Sequence, residues 1–343
     1  KVKNNSLIKG ILAKKNNDIV HEIVQKLDDQ NSHIDLHDFV NCFELLIPKA
    51  DRSLNGAFFT PNVITKAIVK EMVDFPRLSI CDPSCGCGAF LLETAIFLNK
   101  RFGIKIAKSL KDNLFGVDIA DYSIKRAKIL LSLLALSYGE DLKEYDFNLK
   151  IADSLSLDWK KSFPNVFNKG GFDRVLGNPP YVKYQDLPNE LRKSLYCDWS
   201  TLKKGNYNLY FAFFELGIQI LKSTGRLGYI TPNNYFTSLS GVTLRNFLAN
   251  NCYLSKVIDF NHIKIFSSRT YTALTFLDKK AKEHFLFERV LDIKRVNDLK
   301  QKDFSFVYFK DLNNKKWRLL KFDDQNNIRV IEKTGKRLGE LFD

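Results

Sequence analysis

The stretch Asp82-Pro83-Ser84-Cys85-Gly86-Cys87-Gly88-Ala89-Phe90 decides the fold class. An apolar run at 78–82 reads as a strand that ends on an acid, and 89–102 reads as a helix. Between them lies a short glycine loop. Gly86 and Gly88 let the backbone come close to a ligand, and the N–H groups that open the helix face it. The glycine fingerprint of dinucleotide sites wants a third glycine, and Leu91 stands in its place. Asp82 would repel a pyrophosphate and attract an ammonium.

Outward from this loop, short apolar runs alternate with helical patterns. Strands are predicted at 114–118, 149–153, 172–176 and 227–231. Helices are predicted at 122–138, 207–222 and 242–249, with Gly225 ending the second. The runs 256–260 and 271–277 have no helix between them and are expected to pair antiparallel. This β-α-β rhythm predicts an α/β, Rossmann-like fold, a mostly parallel seven-stranded sheet with an antiparallel last strand. Ligands of such sheets sit beyond the carboxyl ends of the strands. Residues 1–52 are expected to be a small helical segment, with Ile19, Ile23, Leu27 and then Phe39, Phe43, Leu46 at helical spacing. Residues 56–61, GAFFTP, turn into the next helix, with Pro61 suited to its first turn. The catalytic domain is expected to cover 53–282 and to be complete by Lys280. Residues 283–343 are then a linker or the start of a C-terminal region. The chain opens on Lys1 and is expected to be part of a longer protein.

Two further strands end on acids. Asp118 follows Gly116-Val117, where a carboxylate can accept both hydroxyls of a ribose, and Asp153 follows Ile151-Ala152, where it can accept from an adenine amine. Any one such acid is commonly a solvated strand end. Three in succession, the first on a glycine loop, suit a nucleoside-like ligand carrying an ammonium, as S-adenosylmethionine does. The most specific motif is Asn178-Pro179-Pro180-Tyr181 after a fourth strand. The lone pair of an adenine amine is delocalised into its ring, so the nitrogen is a poor nucleophile. The Asn178 side-chain oxygen and the Pro179 carbonyl can together accept both of its N–H groups and favour a tetrahedral nitrogen. The prolines fix the backbone that aims the carbonyl, and Tyr181 offers a ring on which an extruded base can stack.

Composition limits what else the chain can be. Of its 343 residues, 45% are hydrophobic and 13% aromatic, which excludes a disordered chain. The net charge of +14 suits a polyanion, and equally a lysine-rich surface with no such partner. Six cysteines, three of them at 81, 85 and 87, make a poor disulfide layout, and their spacings of four and two with no nearby histidine do not fit structural zinc; no metal is expected. No apolar run is long enough to span a bilayer and no secretory signal opens the chain, so a cytoplasmic location is expected. Between Tyr181 and Tyr207, Lys183, Arg192, Lys193, Lys203 and Lys204 are interleaved with Tyr184 and Trp199. Such a stretch suits DNA beside a flipped base, or an ordinary solvated loop.

The ordered set GAFFTP, DPSCGCGAFLLE, GVDI, IADS and GNPPY resembles the gamma-class N6-adenine DNA methyltransferases, the group of the TaqI and Eco57I enzymes and of type I modification subunits. The resemblance covers about residues 56–280. It implies the class I S-adenosylmethionine-dependent fold and that cofactor. It assigns Phe58, Phe59 and Thr60 to the methionine end, Asp82 to the amine, Asp118 to the ribose and Asp153 to the adenine amine. Ile119 packs on the adenine ring, and Cys85, Gly86, Gly88, Ser154 and Asn178 complete the cofactor contacts. It makes Asn178, Pro179, Pro180 and Tyr181 catalytic and places Phe266 against the target adenine. Asn208 stands where relatives often carry Asp. The resemblance also implies double-stranded DNA as partner, with a specificity subunit or a fused recognition or nuclease domain. Without such a domain, DNA binding is expected to be weak and of little sequence preference. Two alternatives remain: N5-methylation of a protein glutamine, whose amide poses the same lone-pair problem, and a non-catalytic DNA-binding subunit of a larger complex.

Overall fold

Strand β1 (Ile80–Asp82) lies inside the sheet with all three residues buried. The computed structural model describes residues 2–13, 36–45, 60–266, 270–280, 282–313 and 315–335. Among them, nine strands form one sheet in the order β3-β2-β1-β4-β5-β7-β6-β8-β9. The other strands are β2 (Leu114–Asp118), β3 (Asn148–Ile151), β4 (Phe172–Gly177), β5 (Leu221–Pro232), β6 (Leu254–Asp259), β7 (Thr272–Asp278), β8 (His284–Arg289) and β9 (Ser305–Tyr308). β1 pairs parallel with β2 and β4, β2 with β3, and β4 with β5. β7 slots antiparallel between β5 and β6.

Side chains alternate across the sheet and feed two cores. Val175, Leu227 and Tyr229 face one, with the helix Tyr210–Ile220 and its aromatics. Leu176 and Ile230 face the other, with the helices Asn62–Met72, Ala89–Phe102 and Asp121–Ser137. Both faces are therefore covered, as a parallel sheet requires. Because β1, β2 and β4 run parallel, their carboxyl ends come to one rim.

The structure corrects several expectations. The sheet has nine strands rather than seven. The two extra ones come from the stretch read as a linker: β8 pairs parallel with β6, and β9 antiparallel with β8. Phe285 and Phe287 are fully buried there, so the layer is not closed at Lys280. Gly225 does not end the helix, which stops at Ile220; it lies inside β5, where the register against β4 slips between Phe172 and Arg174. β3 ends at Ile151, which leaves Asp153 in the turn that follows. The stretch between Tyr181 and Tyr207 carries a helix, Asn189–Asp198, between two short 3-10 turns. At the N-terminus the helices Ser6–Ala13 and Leu36–Leu45 contain Phe39 and Phe43. Ile19, Ile23, Leu27, Leu46, Phe58 and Phe59 lie outside the described residues. No helix among the described residues is long and apolar enough to cross a membrane.

Candidate functional site

Asp82 ends β1 and is buried, its Oδ1 accepting the Ser84 N–H at 3.0 Å. Burial, with Asp118 nearby, pushes its carboxyl up to about 8. Among the described residues no cation pairs with it. Gly177, at the end of β4, lies directly against it: a Cβ there would stand 2.6 Å from Asp82 Oδ1. That glycine lets the first and fourth strand ends approach.

The loop after β1 is shaped by Asp118. One carboxylate oxygen accepts the Gly86 N–H and the other the Ala120 N–H, both at 2.9 Å. Burial raises the pKa of Asp118, and those N–H bonds oppose the shift. Gly86 and Gly88 take positive φ, 50° and 92°, and a Cβ on Gly86 would meet nothing within 4 Å, so the loop faces open space there. Cys85 faces the other way. Its thiol is buried, and its N–H bonds the Val117 carbonyl at 3.0 Å, so it shapes the loop from beneath. Cys81 and Cys87 are buried as well, and none of the three forms a disulfide among the described residues. Among the described residues no group of His, Cys, Asp or Glu is arranged to hold a metal ion.

Ile119 is 61% exposed beside the loop, an apolar surface at the rim. Asp153 is half-buried and accepts the Leu155 N–H at 3.0 Å. Ser154 is buried, and its hydroxyl donates to the Pro83 carbonyl at 2.5 Å, tying the third rim loop to the first.

Asn178, Pro179, Pro180 and Tyr181 leave β4 at the same rim. The Ser84 hydroxyl donates to the Asn178 carbonyl at 3.3 Å, which joins this segment to the glycine loop. Thr60 is buried, and its Oγ1 accepts from Asn178 Nδ2 at 3.0 Å. The Tyr181 hydroxyl donates to the Ile230 carbonyl at 3.1 Å. Its ring meets those of Phe266 and Tyr210 edge to face, each at 6.0 Å. The structure thus brings Tyr181 and Phe266 together across about 85 residues of chain.

The five basic residues separate into two groups. Arg192 stacks on Tyr184 at 4.6 Å and donates to the Gln185 carbonyl. Lys203 lies over Tyr196 at 4.9 Å and donates to the Cys197 carbonyl. These two brace their own segment, although Lys203 is exposed, and Lys183, Lys193 and Lys204 are exposed as well. Lys183 forms an antiparallel bridge with Asn208, so the Asn208 backbone holds the segment that follows the Asn178–Tyr181 motif.

Sequence reasoning missed the rim loop after β5. The Tyr210 hydroxyl donates to Asn234 Oδ1 at 2.9 Å, and the buried Arg245 donates to the carbonyls of Tyr235, Ser238 and Lys315. Pro232-Asn233-Asn234, a second proline-asparagine turn at a strand end, was the available signal.

Residues 112–266 match the family model of the Eco57I restriction-modification methylase. Over those residues, fewer than half of the chain, it is similar to Eco57I-type restriction-modification methylases. It is 29% identical over 304 residues to the type II restriction enzyme and methyltransferase RM.Eco57I of Escherichia coli, an alignment that takes in 72% of this chain and 30% of that protein. The chain spans less than half the length of these curated relatives. Among solved structures, it superposes on DrdV in complex with DNA with a TM-score of 0.66 at 13% identity, over 91% of this chain and 37% of that one. On the type I methyltransferase subunit of Streptococcus thermophilus the TM-score is 0.53 at 18% identity, over 82% and 53%. The fold is that of class I S-adenosylmethionine-dependent methyltransferases.

Proposed function

We propose that this chain binds S-adenosylmethionine at the rim formed by β1, β2 and the turn after β3, and methylates the exocyclic N6 amine of an adenine flipped out of duplex DNA. One observation carries the proposal: Asn178 and Tyr181 leave β4 against the same glycine loop that Asp82 and Asp118 build. Asp82 fits the ammonium of the cofactor, being a buried carboxylate with no cation beside it among the described residues. Gly86 leaves room for the ligand, whereas Gly88 packs against Ala127, where a Cβ would come within 3.2 Å; Asp118 can accept from the ribose, Ile119 offers an apolar face to the adenine ring, and Asp153 can accept from its amine. Phe58, Phe59 and Thr60 remain assigned to the methionine end by resemblance.

The cofactor supplies an electrophilic methyl group on a sulfonium. The residues of the chain prepare the acceptor. Asn178 Oδ1 and the Pro179 carbonyl take the two N–H groups of the target amine, localise its lone pair on nitrogen and hold it in line. Pro180 stiffens the turn. Tyr181 offers its ring to the flipped base, with Phe266 packed edge to face beside it, and desolvation against these rings strengthens the bonds to the amine. The proton released from the amine passes to solvent.

Lys183, Lys193 and Lys204 are the surface cations placed to meet phosphates. Double-stranded DNA in the cytoplasm is the partner, together with a specificity subunit or a fused recognition or nuclease domain, as the lengths of the relatives and the DNA complex of DrdV support. The relatives are restriction-modification methylases, which favours DNA over a protein glutamine. Nucleoside mass spectrometry of DNA incubated with the protein and cofactor should reveal N6-methyladenine. Asn178→Ala should abolish it while leaving cofactor binding nearly intact. A variant that keeps most of its turnover would sink the mechanism.

A further inference from the structure

Thr60 precedes the helix Asn62–Met72 and is only 5% exposed. Its Oγ1 accepts from the Nδ2 group of Asn178, 118 residues away in sequence, at 3.0 Å. An asparagine amide has two ends, an acceptor oxygen and a donor NH2, and a half-turn about its last torsion exchanges them. Methylation of an amine needs the oxygen end toward the target, because an NH2 there would meet the target's own N–H groups donor to donor. We propose that Thr60 is a positioning residue whose hydroxyl oxygen engages Asn178 Nδ2 and so turns Asn178 Oδ1 toward the base. This rests on the adenine-methylation proposal and goes beyond it, since the resemblance assigns Thr60 to the cofactor alone.

A hydroxyl can donate as well as accept, so the pairing fixes the amide only while the hydroxyl proton is engaged elsewhere. The carboxylate at the amino-acid end of the cofactor has no proton to give and can only accept. Beside such a carboxylate the Thr60 hydroxyl would donate its proton to it, and its oxygen would be left to accept from Asn178, so that Thr60 would hold the orientation of the group that receives the second substrate.

Two readouts test this. The first uses protein labelled with 15N-asparagine, in which the Asn178 amide signals are identified by their loss in Asn178→Asp. Saturation with S-adenosylhomocysteine should slow exchange of those protons with water in the unaltered protein and not in Thr60→Val. The second is turnover at saturating cofactor on plasmid DNA free of adenine methylation. Thr60→Val should lower kcat by about 10- to 100-fold, the scale of a misplaced reacting group, and Thr60→Ser should restore it. Thr60→Ala serves the same assays if the valine variant does not fold. Unaltered kcat and exchange in Thr60→Val, with Asn178→Ala inactive, would overturn the role of Thr60 and spare the adenine proposal. Failure of serine to restore kcat would also overturn it, because a hydroxyl at position 60 would then not be enough to orient Asn178. Full activity of Asn178→Ala would overturn the adenine proposal itself.

Discussion

Asp82 is buried beside Gly177, and its carboxyl is held near 8 against 3.8 in an ordinary setting. Between those two values the folded protein holds a proton that the unfolded chain has released, so this group costs the cofactor-free protein stability as pH rises through that window. An ammonium beside it favours the carboxylate, so cofactor binding below pH 8 must expel the proton. Affinity should therefore rise with pH, by up to about tenfold per unit, and level off near pH 8, where an α-amino group begins to lose its own proton at about 7.7–8.0. Calorimetry in two buffers of different ionisation heat should register the released proton. Asp82→Asn should flatten the profile. An affinity that stays constant from pH 6 to 8 in the unaltered protein would contradict an ammonium at Asp82.

The helix Tyr210–Ile220 is the element on which the rim leans. Its Tyr210 touches Tyr181 and bonds Asn234, and the body of the helix packs onto β5 through Gly217. A Cβ on Gly217 would collide with Leu227 Cδ1 and stand 3.1 Å from the Tyr229 hydroxyl, both in fully buried side chains. Gly217→Ala should lower stability by about 1–3 kcal/mol, the usual cost of overpacking, despite the better helix propensity of alanine. Urea unfolding measures it. A neutral or stabilising result would show that the helix can lift away from β5 without loss. Arg245 secures the neighbouring loop through three carbonyls, so that element is held from within.

At the scale of the molecule, the sheet runs on past β7 and β6 to β9. Phe285, Phe287 and Trp317, all buried, belong to the same core as the Tyr210–Ile220 helix. A chain stopped after Lys282 would leave the edge of β6 bare and remove those side chains. It should unfold at lower temperature than the chain carried through Gly335, and aggregate through the exposed edge. Equal melting of the two, by calorimetry, would show that β8 and β9 are dispensable. The surface charge makes a second expectation at this scale. If Lys183, Lys193 and Lys204 supply about three phosphate contacts, a fourfold rise in salt should weaken DNA binding by about forty-fold, from a slope of −0.9 per contact. Fluorescence anisotropy on a labelled duplex measures this, and a flat response would favour a protein substrate.

The amino-acid sequence by itself determined the run of parallel strands from β3 to β5 and the residues at their carboxyl ends. Local rules suffice for both: an apolar run ending on an acid makes a buried strand with a polar tip, and parallel strands collect their tips on one edge. Asp82, Asp118 and Asn178 were legible for that reason. Thr60 and Phe266 were named through a family pattern, without their partners. Only the tertiary structure joined Thr60 to Asn178 and Phe266 to Tyr181, because those contacts close long loops and depend on how helices lie over the sheet. The side that Cys85 takes was not legible, because sequence cannot tell which side of a glycine loop a side chain faces, and its thiol lies on the core side. Strands β8 and β9 went unseen because each is a short apolar run flanked by charged residues, and their place is set by pairing, β8 with β6 and β9 with β8, rather than by their own propensity.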